Sequence, residues 1–234
     1  LLDEWQIVPE LWDLVRREVD ARRAPGQFIL TGSATPTDDA RRHSGAGRFS
    51  AMRMRPMCLA ESRRSDATVS LRALLDGETQ AAKDPGLAVT ELAEVLTRGG
   101  WPALLDLPLP AVTRSLRDYL AQATHVDVLA LAGRRRDPAK IDALVRSLAR
   151  NTATEVSVTT LAADAAVGAS SLDRSTVTDY LTALERLMIL DQQPAWAPSM
   201  RSRAQLRTSP KRHLVDPSLA VAAMRLVRSV NPRI

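Results

Sequence analysis

Leu1-Leu2-Asp3-Glu4 and, one helix later, Gln27-Phe28-Ile29-Leu30-Thr31-Gly32-Ser33 are the two stretches on which the fold of this 234-residue chain turns. Each is a short apolar run that breaks abruptly into acidic or hydroxyl side chains. Between them, Pro9 opens a helix in which Leu11, Val15 and Val19 recur at helical spacing, and Pro25-Gly26 ends it. Strand, helix and strand in this order make a βαβ unit, so the two strands are expected to be parallel. A buried parallel strand needs neighbours on both sides. The opening on Leu1 rather than Met therefore leads to the expectation that sequence upstream completes the sheet.

An apolar strand ending in Asp-Glu suits metal-dependent phosphoryl transfer. The strand can fix Asp3 to hold Mg²⁺, commonly through water, and place Glu4 where it orients an attacking water. The neighbouring strand would end at the same sheet edge, bringing the Thr31 and Ser33 hydroxyls towards a γ-phosphate. Each feature has a plainer alternative: a helix cap with a solvated carboxylate for the first, an ordinary strand-to-loop turn for the second.

Further along, residues 36–48 are polar and glycine-containing and are expected to form a surface loop. In residues 49–57, Phe49, Ala51, Met52 and Met54 alternate with Arg53 and Arg55, the pattern of a third or edge strand ending at Pro56. A polar connection over 61–68 leads to helical stretches at 69–75 and 88–97, the second stopped by Gly99-Gly100. Pro110 opens a long amphipathic helix carrying Val112, Leu116, Leu120 and Ala123 and reaching to about Leu131. Residues 133–138 form a hinge in which Asp137 is a good N-cap and Pro138 suits the first turn. Ile141, Leu144, Val145 and Leu148 stripe the next helix.

Residues 158–190 carry helix-turn-helix spacing. A short helix over 159–166 and a turn at 167–170 precede a longer helix, capped by Asp173, with Val177, Leu181, Leu184 and Met188 on one face. Residues 189–196 and 213–215 can then pair as the strands of a wing, with the arginine-bearing 199–209 stretch at its tip. The fold class expected is mixed α/β and mostly helical: a partial P-loop NTPase parallel sheet, a helical region and a winged-helix domain.

Composition bounds the function less tightly. The chain is 45% hydrophobic and 25% charged, ordinary for a globular protein. Its net charge of +5 comes from arginine, since Lys83, Lys140 and Lys211 are the only lysines. This permits an acidic partner without demanding one. A single cysteine, Cys58, cannot form an internal disulfide and is expected to be a buried or half-buried structural thiol; a reducing cytoplasm fits best. No apolar run reaches the length of a spanning helix, so no membrane association is expected. His43, His125 and His213 are scattered without zinc-site spacing.

Several landmarks recur together. They are Leu1-Leu2-Asp3-Glu4-Trp5-Gln6, Val8-Pro9-Glu10-Leu11-Trp12, Phe28-Ile29-Leu30-Thr31-Gly32-Ser33-Ala34, Gly45-Ala46-Gly47-Arg48, and Arg55-Pro56-Met57 with Glu61. Gly99-Gly100-Trp101-Pro102, Tyr119-Leu120, Tyr180-Leu181 with Leu184-Glu185, and Ser209-Pro210-Lys211 followed by Asp216 come later. In order and spacing these resemble the prokaryotic AAA-like ATP-binding proteins with a C-terminal domain of unknown function. The resemblance covers nearly the whole chain.

It implies three parts: the rear of an AAA-like ATPase core at 1–66, a helical lid or linker at 67–135 and a winged-helix domain at 136–234. It also implies a Walker B role for Asp3 and Glu4, with Mg²⁺ on Asp3, a sensor role for Thr31 and Ser33, and a phosphate- or subunit-facing role for Arg48. The alternative for Arg48 is a carboxylate-paired surface group. Lys211 and Asp216 have an equally good structural role, pinning the wing strand.

One departure is serious. No Gly-x-x-x-x-Gly-Lys-Ser/Thr loop occurs, and no lysine precedes Lys83, so the phosphate cradle is not in this sequence. The chain by itself is expected neither to bind ATP tightly nor to hydrolyse it. For the winged helix, Arg174, Arg201, Arg203 and Arg207 are the candidate phosphate contacts, with DNA and a protein partner equally open and a homo-oligomer compatible. The competing expectation is a non-enzymatic DNA-binding or adaptor protein.

Overall fold

The computed structural model describes residues 1–33, 45–83, 86–128, 137–166, 172–196 and 208–226. Helices make up about half of these residues, and the named strands are only two. In order they are α1 (Glu10–Arg22), α2 (Leu71–Leu75), α3 (Val89–Arg98), α4 (Leu109–Gln122), α5 (Pro138–Arg150), α6 (Val158–Asp164), α7 (Arg174–Arg186), β1 (Leu190–Gln193), β2 (Lys211–Leu214) and α8 (Pro217–Ala223).

Local chemistry sets most of the helix limits. Ser70, Asp137, Ser157 and Asp216 sit at N-caps in extended conformation, and each side chain accepts a backbone N–H of the first turn. Proline occupies the first turn of α4, α5 and α8. Asp173 stands at the N-cap of α7, but its carboxylate takes the Ser175 hydroxyl instead of a backbone cap bond. Helix α4 runs without a break into a π-helical turn, Ala123–Asp127, before Val128. There Thr124 and His125 both bond to Asp142 of α5, the His125 contact at 2.9 Å.

The predicted stripes of α4, α5 and α7 become buried, whereas of the α1 stripe only Val15 does. Val112, Leu116, Leu120 and Ala123 of the α4 arm meet Ile141, Leu144, Val145 and Leu148 of α5 in one apolar cluster. Leu161 of α6, Val177, Tyr180, Leu181 and Leu184 of α7, Ile189, Leu190 and Leu219 of α8 complete it. Helix α8 packs on α3, α4 and α5, α6 bridges α5 and α7, and the β1–β2 pair lies on α5 and α7. The hairpin is antiparallel with Leu190 opposite Leu214 and Gln193 opposite Lys211. Met188 does not continue the α7 face: it leaves the helix at φ 57°, turning the chain into β1.

Two expectations about strands need correction. Residues 1–4 and 27–33 come together in parallel, but as a single bridge, Leu2 with Leu30, and no parallel sheet forms among the described residues. The 49–57 stretch is extended yet is not a strand. Among the described residues, no backbone group between 50 and 56 bonds to another backbone group, and a strand exists only where a partner closes the ladder. Met52 and Met54 are 94% and 89% exposed. Cys58 is also exposed rather than buried. The 36–44, 129–136, 167–171 and 199–207 expectations, among them most of the surface loop, the turn between α6 and α7, the wing tip, and His43, Arg201, Arg203 and Arg207, lie outside the described residues.

Candidate active site

The parallel bridge places the two polar strand ends side by side. Leu2 donates to the Ile29 carbonyl at 2.8 Å, Thr31 donates to the Leu2 carbonyl at 2.9 Å, and Trp5 donates to the Thr31 carbonyl at 3.2 Å. This backbone register aligns the side chains as rungs. The Thr31 hydroxyl donates to Asp3 Oδ1 at 2.5 Å, and the Ser33 hydroxyl donates to Glu4 Oε2 at 3.3 Å. The four residues named from the sequence, Asp3, Glu4, Thr31 and Ser33, therefore form one cluster on the exposed edge.

Gln6 joins them. Its amide nitrogen donates to Glu4 Oε2 and, at 3.4 Å, to Ser33 Oγ. Gly32 leaves room for it, since a Cβ at that position would fall 2.1 Å from Gln6 Oε1. Glu4 itself has a left-handed backbone, φ 49° and ψ 39°, in a residue type that seldom adopts it. Strain of this kind costs of order 1–3 kcal/mol and clusters at functional sites.

Arg48 sits elsewhere in the same segment and is held by a carboxylate. Its Nε donates to Asp20 of α1 at 2.6 Å. That bond holds the Asp20 carboxyl below its ordinary range and raises the Arg48 guanidinium above its own. A bare cation is thus not what Arg48 presents here. Behind the strand tips runs an aromatic stack. Trp5 lies 5.2 Å from Trp12, and Trp12 lies 3.9 Å from Phe49 at an interplanar angle of 10°. Gly45 lets the rings close up, because a Cβ there would sit 2.4 Å from the Trp12 ring.

Among the described residues no group of three or more His, Cys, Asp or Glu could enclose a metal ion. The Asp3 and Glu4 oxygens not taken by the rungs are hard donors of the kind Mg²⁺ uses while keeping several waters and substrate phosphates. The donor set fits a water-mediated Mg²⁺, and no Gly-x-x-x-x-Gly-Lys phosphate cradle lies in this sequence. At the far end, Arg174 is exposed at the start of α7. Thr178 and Thr182 turn their hydroxyls back to their own helix, both at 3.0 Å. His213 meets Gln193 across the hairpin. Asp216 does not pin the wing strand: it is buried, caps α8 and accepts the Gly100 N–H at 2.9 Å.

The match to a family model over residues 89–229, more than half of the chain, is to the domain of unknown function DUF8612. The chain belongs to the DUF8612 family. Residues 1–62 match the AAA domain model, so an AAA-like segment precedes the DUF8612 domain. No curated protein and no solved structure matches the chain. The DUF8612 match takes in α3 through α8; the buried faces of α4 through α8 meet in the common core, and α3 packs on α4 and α8 from outside it. None of the helices in the described residues is long and apolar enough to cross a membrane.

Sequence reading missed Gln6, Asp20 and Asp191. The first lies two residues beyond Glu4 and was visible only as part of a landmark. The other two are acidic residues whose arginine partners are distant in sequence, and no spacing rule reports such pairs.

Proposed function

We propose that this DUF8612 protein is part of an AAA-like ATPase in which the 1–66 segment supplies the catalytic edge and a winged-helix unit responds to it. The carrying observation is the pair of rungs, Thr31 to Asp3 and Ser33 to Glu4, on two parallel strand ends within the AAA-matching residues. In this scheme Asp3 would hold Mg²⁺ through water, Glu4 would orient the attacking water, and Thr31 and Ser33 would report the state of the γ-phosphate. Mg²⁺ would neutralise charge on the transferring phosphoryl group. ATP would bind only where a Gly-x-x-x-x-Gly-Lys loop joins the chain's own residues, since none lies within them. Arg48 would have to leave Asp20 to meet a phosphate or a neighbouring subunit.

Helices α6 and α7 followed by the β1–β2 hairpin have the order of a winged helix, and we assign residues 136–234 to that unit and 67–135 to a helical lid or linker. A cytoplasmic location accords with one exposed, free cysteine.

Glu4→Gln tests the scheme in a protein that carries the phosphate loop: ATP binding retained with turnover lost by about 10²-fold or more is expected. Unchanged turnover would remove Glu4 from the mechanism. A second reading, a DNA-binding or adaptor protein without hydrolysis, is favoured by Arg174 at the exposed start of α7, with Arg201, Arg203 and Arg207 following in sequence. Duplex affinity that falls steeply with salt, and falls again when these arginines are neutralised, would support it. Salt-independent failure to bind would dismiss it.

A further inference from the structure

Among the described residues, the stretch from Phe49 to Met57 has no backbone partner along its middle, yet it is anchored at both ends. At its start, Phe49 stacks on Trp12, which stacks on Trp5, the residue directly after Glu4. Further on, Arg53 and Arg55 both close on one carboxylate, Asp191 of β1, each guanidinium taking a different oxygen. Arg53 also reaches the Leu190 carbonyl at 3.4 Å. Met57 then donates its N–H to the Gly100 carbonyl at 2.7 Å, and Gly100 in turn donates to buried Asp216. Met52 and Met54 point away from these contacts into solvent. The alternation is thus that of a strap, with a gripping face of arginines and a free face of methionines.

We propose that this strap mechanically joins the AAA-like segment to the β1–β2 hairpin, with Asp191 as its clasp. Asp191 is a good clasp because its side chain is only 18% exposed: two cations converge on one partly desolvated carboxylate, a geometry worth more than an open surface pair. It also lies on the strand that leads into the arginine-bearing 197–207 stretch, so a pull on the strap acts at the hairpin's root. The aromatic stack makes the other end continuous with the Glu4 strand tip. A shift at that tip would therefore reach the hairpin without passing through the apolar core. The link to nucleotide rests on the ATPase proposal above, whereas the clasp does not.

Trypsin reads the clasp directly, because Arg53–Met54 is cleavable only when Arg53 is released; Arg55 is followed by proline and resists cleavage. On the full 234-residue chain without nucleotide, Asp191→Asn should speed cleavage at Arg53–Met54 by about tenfold or more. Cleavage at Arg114–Ser115, within core helix α4, should stay unchanged. Trp12→Ala, or Phe49→Leu where the first does not fold, should also speed cleavage at Arg53–Met54 if the strap moves as a unit. An unchanged rate at Arg53–Met54 in Asp191→Asn overturns the clasp. An equal rise at Arg114–Ser115 would mean global loosening and overturns it as well. Normal Arg53–Met54 protection in a folded Trp12→Ala or Phe49→Leu chain overturns the continuity of the strap. Because no ATP is present, none of these outcomes depends on whether the protein hydrolyses it.

Discussion

Removing the Asp216 carboxylate should unfasten two elements at once. Its Oδ1 accepts the Ser218 N–H at 2.9 Å and the Ser218 hydroxyl at 2.5 Å, which caps α8; its Oδ2 accepts the Gly100 N–H at 2.9 Å. In Asp216→Ala the lost N-cap costs about 1 kcal/mol. The Gly100 N–H is left in a buried position without an acceptor, at about 1–3 kcal/mol. The sum, about 3 kcal/mol, corresponds to a fall in Tm of about 6–12 °C for a domain of this size. Urea unfolding followed by far-UV circular dichroism measures it. Asp216→Ser separates the two parts, because serine is a good N-cap but is too short to reach Gly100, so about 2 kcal/mol should be lost. A loss below about 1 kcal/mol in Asp216→Ala, or equal losses in the two variants, would refute this account of the residue.

Other consequences can be checked in the same way. Gly100→Ala would bring a Cβ to 2.0 Å from the Met57 backbone carbonyl, so the strap must shift; a stability loss of about 1–3 kcal/mol and faster tryptic cleavage at Arg53–Met54 are expected. Leu144→Ala, at the fully buried centre of α5, should cost about 2–5 kcal/mol in the same urea titration. Glu61 accepts the Cys58 N–H at 2.8 Å, and that bond holds its carboxyl below the ordinary range. Its stabilising effect is therefore full above the usual carboxylate pKa and is lost as pH falls through the depressed folded value, so Glu61→Gln should flatten the decline in stability as the pH is taken down through the carboxylate range.

The parts legible in the sequence were those that local chemistry decides. Asp137-Pro138 marked the start of α5, Gly99 the end of α3, and the apolar stripes of α4, α5 and α7 named most of the core before any contact was known. The nearness of residues 3–4 to 31–33 was legible too, because a βαβ reading already places both strand ends at one edge, whereas the hydroxyl-to-carboxylate bonds between them were not. The parts that stayed hidden depend on partners far along the chain. Met52-Arg53-Met54-Arg55 alternates equally well for a strand in a sheet and for a strap gripped by an aspartate 138 residues beyond Arg53. Gly99-Gly100 read as a helix stop. Its second use became visible only in three dimensions, where a Cβ on Gly99 would strike Asp216 and one on Gly100 would strike Met57. Pinning the wing strand is the structural role the sequence offers for Asp216, but its carboxylate turns inward to Gly100.

The seating of Met57 on Gly100 also bears on how the polypeptide could be divided. Residues 65–78 are exposed almost throughout, and what ties the strap to the DUF8612 domain is supplied by Asp191 and Gly100 rather than by that connection. A nick there would leave both halves of the junction intact. The two pieces, expressed separately, should find each other in solution, with the strap acting as an intramolecular ligand turned intermolecular, and with an affinity set by one carboxylate, one peptide unit and the stretch of chain between them.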